Sequence, residues 1–414
     1  MTQIEKRNGR GFEPFDVTKV QAAVLKAANR VDKSQDWSAL LRKVSASVEE
    51  TISSMTAITV DDVHTEVENT LMRMDQFDIS REYITYRKAH MPDIFRPRAV
   101  YRPFEYPDLH KYVDAVRQSY WTHDEFDYTA DVQDFKINMC GKEREAVRRC
   151  MLAISHIEVS VKTFWAKLGD RLPKAELAEI GITMGESEVR HANAYAELLN
   201  RLGLNDDFSE VANVPAIKAR QKYMDNAMSG NTGSNKDYME SVLLFSLFIE
   251  NVSLFSQFLV LMVMNQDKGY LKGISNAISS TALEENLHAK LGADIIKTIR
   301  IEQPSWFTPE LDARVNSLVA QSFEAEKDIL NWIFELGDIS SISKLEVTEY
   351  VKNRYNLGLQ DAGFSTYFSV DTTLLEKTEF FDLQVNTTTH VDFFNKRSSN
   401  YTKKASSFDA DSLF

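Results

Sequence analysis

A lone glutamate followed some thirty residues later by Glu-x-x-His, and then the same arrangement again, is the feature that most restricts what this chain can fold into. Glu158 stands in the apolar run AISHIEVSV and precedes Glu188 and His191 in ESEVRH. Glu250 is the one charge in LLFSLFIENVSLFSQFLV and precedes Glu285 and His288 in LEENLH. Positions i and i+3 share a helix face, so each motif aims a carboxylate and an imidazole the same way. Spacings of 30 and 35 residues are what a helix, a turn and part of a second helix consume. Each half therefore reads as an antiparallel helix pair, and the two halves as one four-helix bundle with its ligands inward.

Burying Glu158 and Glu250 without partners would cost several kcal/mol or keep them protonated. Lys162, four residues on, could pair with Glu158, but Glu250 has no basic residue within a turn or two. Two divalent cations would neutralise both. Four carboxylates and two imidazoles offer hard oxygen and borderline nitrogen donors, which suit iron or manganese better than zinc, whose structural sites favour thiolates. The competing reading makes these six residues a mixture of surface charges and satisfied core polar groups; the repeat weighs against it.

The rest of the chain is consistent with a globular, helix-rich protein. It has 414 residues, 43% of them hydrophobic, with 15 glycines and 9 prolines, so two domains are expected. A net charge of −13 argues against sequence-independent binding to nucleic acid, which needs clustered Lys and Arg. Cys140 and Cys150 do not make a disulfide framework. MTQIEKRNGR is charged throughout and does not read as a signal peptide, so the cytoplasm is the expected location. Ser241 to Gln266 is long enough to cross a bilayer, but Ser246, Glu250, Asn251, Ser253, Ser256 and Gln257 interrupt it. It is read as a buried helix of a soluble protein, with no membrane partner.

Residues 1–90 open with IEKRNGRGFEPF, which suits a short β-hairpin, and continue as helices. Asp16 can cap one with Val20, Val24 and Leu25 on its apolar side. Thr59 or Asp61 can cap another carrying Val60, Val63, Val67 and Leu71. A third begins near Ser80 with Tyr83, Ile84 and Tyr86. Four prolines within MPDIFRPRAVYRPFEYP mark residues 91–107 as a linker. Residues 108–386 form an all-α domain, and residues 387–414 are polar enough to be a flexible tail.

Residues from about Tyr101 to Phe414 resemble the radical-generating (β) subunit of class I ribonucleotide reductase. The resemblance implies a ferritin-like bundle with Glu158, Glu188, His191, Glu250, Glu285 and His288 as ligands of a dinuclear metal centre. Tyr195, in HANAY, falls at the position of the family's radical tyrosine. Trp121, in YWTHDEFD, matches its electron-transfer tryptophan, and Glu284 the acidic residue that relays from it. FFNKRSSNY places Tyr401 as the redox tyrosine that bridges to the catalytic (α) subunit, and FDADSLF resembles the peptide that docks there. Glu158 stands where the common iron-tyrosyl members carry aspartate. Glutamate there resembles members that use manganese, whose oxidised metals themselves hold the oxidising equivalent. Manganese is therefore favoured, ahead of iron with a tyrosyl radical or a mixed manganese–iron pair.

IEKRNGR, PFDVTKV and YITYRKAH together resemble an ATP-cone, a small α/β nucleotide-binding regulatory domain. Lys6, Arg7 and Lys19 supply positive charge for a triphosphate, Gly9 permits close backbone approach, and the helix after Asp16 offers free amides. His64 and Lys88 are further candidates by position in the cone pattern. A solvated basic edge is the plain alternative.

The resemblance implies that the chain makes and stores a one-electron oxidant and passes it through Trp121 and Tyr401 to the catalytic subunit, which makes deoxyribonucleotides. ATP would permit and dATP suppress this activity by converting a homodimer into a larger oligomer. A ferritin-like oxidase or desaturase acting alone on a lipid-like substrate is the main rival, and metal storage with a nucleotide sensor a third reading.

Overall fold

The computed structural model describes residues 3–5, 12–55, 58–161 and 163–390. Lys6, Arg7 and Gly9 of the cone motif, Lys162, Tyr401 and the terminal FDADSLF lie outside the described residues. The chain divides into two compact units between Pro92 and Asp93.

In the first unit, β1 (Gln3–Glu5) and β2 (Phe12–Pro14) pair antiparallel with Ile4 opposite Glu13. Four helices follow. The first, α1 (Val17–Val31), starts where Asp16 Oδ1 accepts from Thr18 N at 2.9 Å, satisfying an amide with no helical partner. Val20 and Val24 are buried as expected, but Leu25 is 38% exposed and falls off the core stripe. The next helix, α2 (Ser38–Ser53), buries Val44, Val48 and Ile52. Trp37 at its start makes no side-chain capping bond, but Asp36 Oδ1 accepts from Ser38 N at 3.0 Å. Thr59, rather than Asp61, opens α3 (Val60–Arg73): its hydroxyl accepts from Asp62 N while Asp62 accepts from Thr59 N. The last helix of the unit, α4 (Phe77–His90), begins three residues before Ser80.

The second unit is helical throughout. After α5 (Pro107–Gln118) and a short α6 (Thr129–Gln133) come α7 (Gly141–Val161), a single turn α8 (Leu168–Arg171) and the long α9 (Ala175–Leu202). Next are α10 (Asn205–Glu210), α11 (Pro215–Met228) and α12 (Asn235–Leu244), which runs into a π-helical segment, Phe245–Ser253. Beyond it are α13 (Phe255–Lys268), α14 (Lys272–Glu302), α15 (Pro309–Ile333), α16 (Lys344–Asp361) and α17 (Glu379–His390). The proline-rich stretch packs on this unit: Ile94 and Phe95 are in its core, and Ile94 N donates to Glu302 Oε2 at 2.7 Å.

The bundle expected from the repeat is formed by α7, α9, the π segment with α13, and α14. Asn235–Lys268 is long and apolar enough to span a membrane, yet its most apolar window is entirely buried within the protein. It is the central core helix, apolar all round because neighbours surround it. One close approach sets its distance from α14. A Cβ at Gly292 would lie 1.6 Å from Ser246 Oγ, so only glycine lets α14 press onto the π segment there.

Candidate metal centre

Each bundle element contributes to one buried polar cluster. Glu158 comes from α7, Glu188 and His191 from adjacent turns of α9, Glu250 from the middle of the π segment, and Glu285 and His288 from α14. All six are at most 1% exposed. Their donor atoms fall into two overlapping groups, Glu158–Glu188–His191–Glu285 and Glu188–Glu250–Glu285–His288, each within 4.8 Å.

The overlap has a definite geometry. Around His191 Nδ1 stand Glu285 Oε1 at 3.0 Å, Glu188 Oε2 at 3.7 Å and Glu158 Oε2 at 3.9 Å. Around His288 Nδ1 stand Glu188 Oε1 at 3.0 Å, Glu285 Oε2 at 3.3 Å and Glu250 Oε2 at 3.5 Å. Glu188 and Glu285 thus turn one oxygen to each histidine, while Glu158 and Glu250 each face one group.

These atoms converge in close contact, but few of the contacts have hydrogen-bond geometry. Both oxygens of Glu158, Glu188 and Glu285, and Nδ1 of both histidines, have no hydrogen-bond partner despite full burial. Buried polar groups are nearly always paired, so eight orphaned donor atoms facing one interior point need an occupant. Two divalent cations fit: their charge matches four carboxylates, and oxygen with imidazole nitrogen suits manganese or iron. Without cations, protons must carry that charge. Burial drives Glu158 well above the usual carboxylate range, and burial with Glu285 and Glu188 alongside does the same to Glu250. Burial would also raise Glu285, but Glu250, His191 and His288 hold it well below. Burial disfavours charged imidazoles, yet surrounding carboxylates push both histidines well above their ordinary value.

The far side of each ring is fixed: Glu284, expected from the sequence, holds His191, whereas Ser187, which the sequence did not single out, holds His288. His288 Nε2 meets Ser187 Oγ at 2.9 Å, and that hydroxyl donates to Met184 O at 2.7 Å, so Nε2 is the donor and Nδ1 is left for a cation. His191 Nε2 meets Glu284 Oε2 at 2.8 Å. Glu284 also accepts from Trp121 Nε1 at 3.1 Å, Ser119 Oγ at 2.9 Å and the Arg190 guanidinium at 3.0 and 3.2 Å. Burial opposes its charge, but His191 and Arg190 outweigh that and lower its pKa. The Trp121 ring lies 5.9 Å from that of His191, with planes 19° apart. On the opposite side of the cluster, Trp165 Nε1 donates to Glu250 Oε1 at 2.7 Å. Partners this far apart in sequence carry no local signal.

Tyr195 is buried behind the cluster. Its hydroxyl donates to Thr281 Oγ1 at 3.3 Å, its ring stacks on Phe258, and burial pushes its phenol well above the ordinary range. In the first unit, Lys19 pairs with Glu13 at 3.2 Å, His64 Nδ1 meets the Tyr83 hydroxyl at 2.8 Å, and Lys88 is exposed on α4.

Comparison with known proteins identifies the family of each unit. The family model for the ribonucleotide reductase small chain matches residues 98–375, and that for the ATP cone domain matches residues 2–91. A probable ribonucleoside-diphosphate reductase small subunit of Invertebrate iridescent virus 3 is 24% identical over 322 residues, covering 74% of this chain and 85% of the viral protein. Two solved structures share the fold. A putative class I ribonucleotide reductase from Bacillus halodurans aligns with a TM-score of 0.62 at 18% identity, covering 67% of this chain and 99% of that one. The dimanganese(II)-NrdF of Streptococcus sanguinis aligns with a TM-score of 0.59 at 14% identity, covering 68% and 99%.

Proposed function

The chain belongs to the ribonucleotide reductase small-chain family, here joined to an ATP cone, and from that premise we propose that it is the radical-generating subunit of a ribonucleoside-diphosphate reductase, working with a large catalytic subunit. The observation that carries this reading is the pair of overlapping Glu/His groups with Trp121 bonded through Glu284 to one of their histidines.

Glu158, Glu188, His191, Glu250, Glu285 and His288 would hold the two metals, which when bound supply a one-electron oxidising equivalent. The chain's own residues then conduct charge. Trp121 would lie on the route of that equivalent between the metal site and Tyr401, which would carry it to the partner. Loss of an electron acidifies the indole N–H, and Glu284 Oε2, kept ionised beside Arg190, is placed to hold its proton. Neither cysteine suits reduction of a ribonucleotide here: Cys150 is buried and its thiol is pushed up by burial, and Cys140 is exposed with no disulfide partner. That chemistry belongs to the partner.

Manganese is the favoured metal. Glu158 occupies the position where iron-tyrosyl relatives carry aspartate, and the Tyr195 hydroxyl is bonded to Thr281. Metal analysis with electron paramagnetic resonance decides this: a coupled mixed-valent manganese signal supports the assignment, and a tyrosyl signal tied to iron overturns it. Removing residues 397–414 should abolish turnover while leaving metal loading intact; full activity without them would favour a stand-alone oxidase.

Through Lys6, Arg7, Gly9, Lys19, His64 and Lys88 the cone would bind ATP, which permits activity, or dATP, which suppresses it by enlarging a cytoplasmic homodimer. The same assembly mass with either nucleotide, together with unresponsive activity, would overturn this part.

A further inference from the structure

Glu250 differs from the other candidate ligands in its backbone. It sits in the middle of a nine-residue π-helical segment, whereas Glu158, Glu188 and Glu285 are on α-helices. A π segment has weaker intrinsic support than α-helix and persists where tertiary contacts hold it. Losing its extra residue would rotate the helix on one side of it against the other by about 100° and carry Glu250 off the cluster.

Two polar contacts hold the segment just beyond Glu250. Arg354, on α16 and 3% exposed, grips Asn251 reciprocally. Its Nε donates to Asn251 O at 2.8 Å and its second guanidinium nitrogen to Asn251 Oδ1 at 2.7 Å, while Asn251 Nδ2 donates to Arg354 O at 2.6 Å. The guanidinium also lies 3.8 Å over the Phe255 ring, at the start of α13. Gly358 makes the approach possible, since a Cβ there would come within 2.4 Å of Asn251 Nδ2. On the other side, the Ser253 hydroxyl lies 2.9 Å from Phe248 O, five residues back, and 2.9 Å from Glu326 Oε1. Glu326 is itself paired with buried Arg220 at 2.9 Å.

We propose that Arg354 is a positioning residue for the metal centre: by clamping Asn251 it fixes the π register that delivers Glu250 to the group containing His288. This rests on the dinuclear reading of the site. Because Glu250 belongs to only one of the two groups, the clamp has a selective consequence that general destabilisation does not. An arginine fork is needed because one side chain must reach a main-chain carbonyl and a side-chain amide at once.

The test is titration of the metal-free full-length chain with Mn(II), following free and bound Mn(II) by electron paramagnetic resonance. The unaltered chain should bind two Mn(II) with a spin-coupled signal. Arg354→Met should bind one with near-normal affinity and the second at least tenfold more weakly, the scale typical of residues that orient ligands. Its spectrum should change to that of an isolated Mn(II). Arg354→Lys should not restore the coupled signal. Equal weakening of both sites, or no weakening, overturns the proposal. If Arg354→Met does not fold, Asn251→Ala removes two of the three bonds and should show the same selective loss; two normal sites in that variant also overturn it. Failure of the unaltered chain to bind an Mn(II) pair would instead overturn the dinuclear reading.

Discussion

Trp121 and His191 share one acceptor. Both rings place a nitrogen on Oε2 of Glu284, at 3.1 and 2.8 Å, and the rings themselves lie nearly parallel. A single oxygen therefore connects a candidate ligand to the indole that the proposed path uses, and the charge on that oxygen matters to both.

Glu284→Gln tests that charge while keeping size and one acceptor oxygen. Metal should still load when supplied in excess, but turnover with the catalytic subunit should fall at least tenfold and stay low at saturating metal. Recovery of full turnover on adding metal would mean that Glu284 serves only to orient His191.

Ser187→Ala addresses the other histidine. It leaves the buried Nε2–H of His288 without its acceptor, a cost of about 1–3 kcal/mol. Manganese affinity should fall by roughly tenfold to a hundredfold. Ser187→Thr keeps the hydroxyl and should retain most of the affinity. Unchanged Mn(II) binding by the alanine variant would show that Ser187 does not hold the ring.

How far such a site is legible depends on whether its members are neighbours in sequence. Glu188 with His191, and Glu285 with His288, stand out because a shared helix face demands an i, i+3 interval. Glu158 and Glu250 stand out because a lone carboxylate in an apolar run is costly. Trp165 and Ser187 reach their partners across 85 and 101 residues, and nothing local marks them. The π segment was equally hidden. With all of Phe245–Ser253 buried, its residues are apolar or buried on every side and show no period from which register could be read. Leu25 failed for the opposite reason: α1 has a clear period, but Val20, Val24, Ala27 and Ala28 already fill the stripe and leave Leu25 at its edge.

Stripping the metals should destabilise the second unit and not the first. The cluster gathers four glutamates and two histidines whose donor atoms converge on an interior site, so a bound ion acts as a ligand of the folded state. At free Mn(II) one hundred times the dissociation constant, each site adds about 2.7 kcal/mol. Calorimetry should show the bundle transition falling with a chelator while the cone transition stays in place. Superimposable melting curves with and without chelator would contradict a metal bound in the core.

Gly292→Ala probes the contact that sets the distance between α14 and the π segment. The added methyl would sit 1.6 Å from Ser246 Oγ and 2.4 Å from its Cβ, too close for a rotamer change at Ser246 alone to relieve. One backbone must therefore move, at about 1–3 kcal/mol for an overpacked core. Because α14 carries Glu285 and His288 and the π segment carries Glu250, that movement also separates donor atoms of one metal group. The variant should melt lower and bind its second Mn(II) more weakly. Adding Ser246→Gly removes both clashing atoms and should return much of the Mn(II) affinity, although glycine in a helix costs about 1 kcal/mol of its own. A double variant no better at binding Mn(II) than Gly292→Ala would show that the spacing between these two elements does not govern the site.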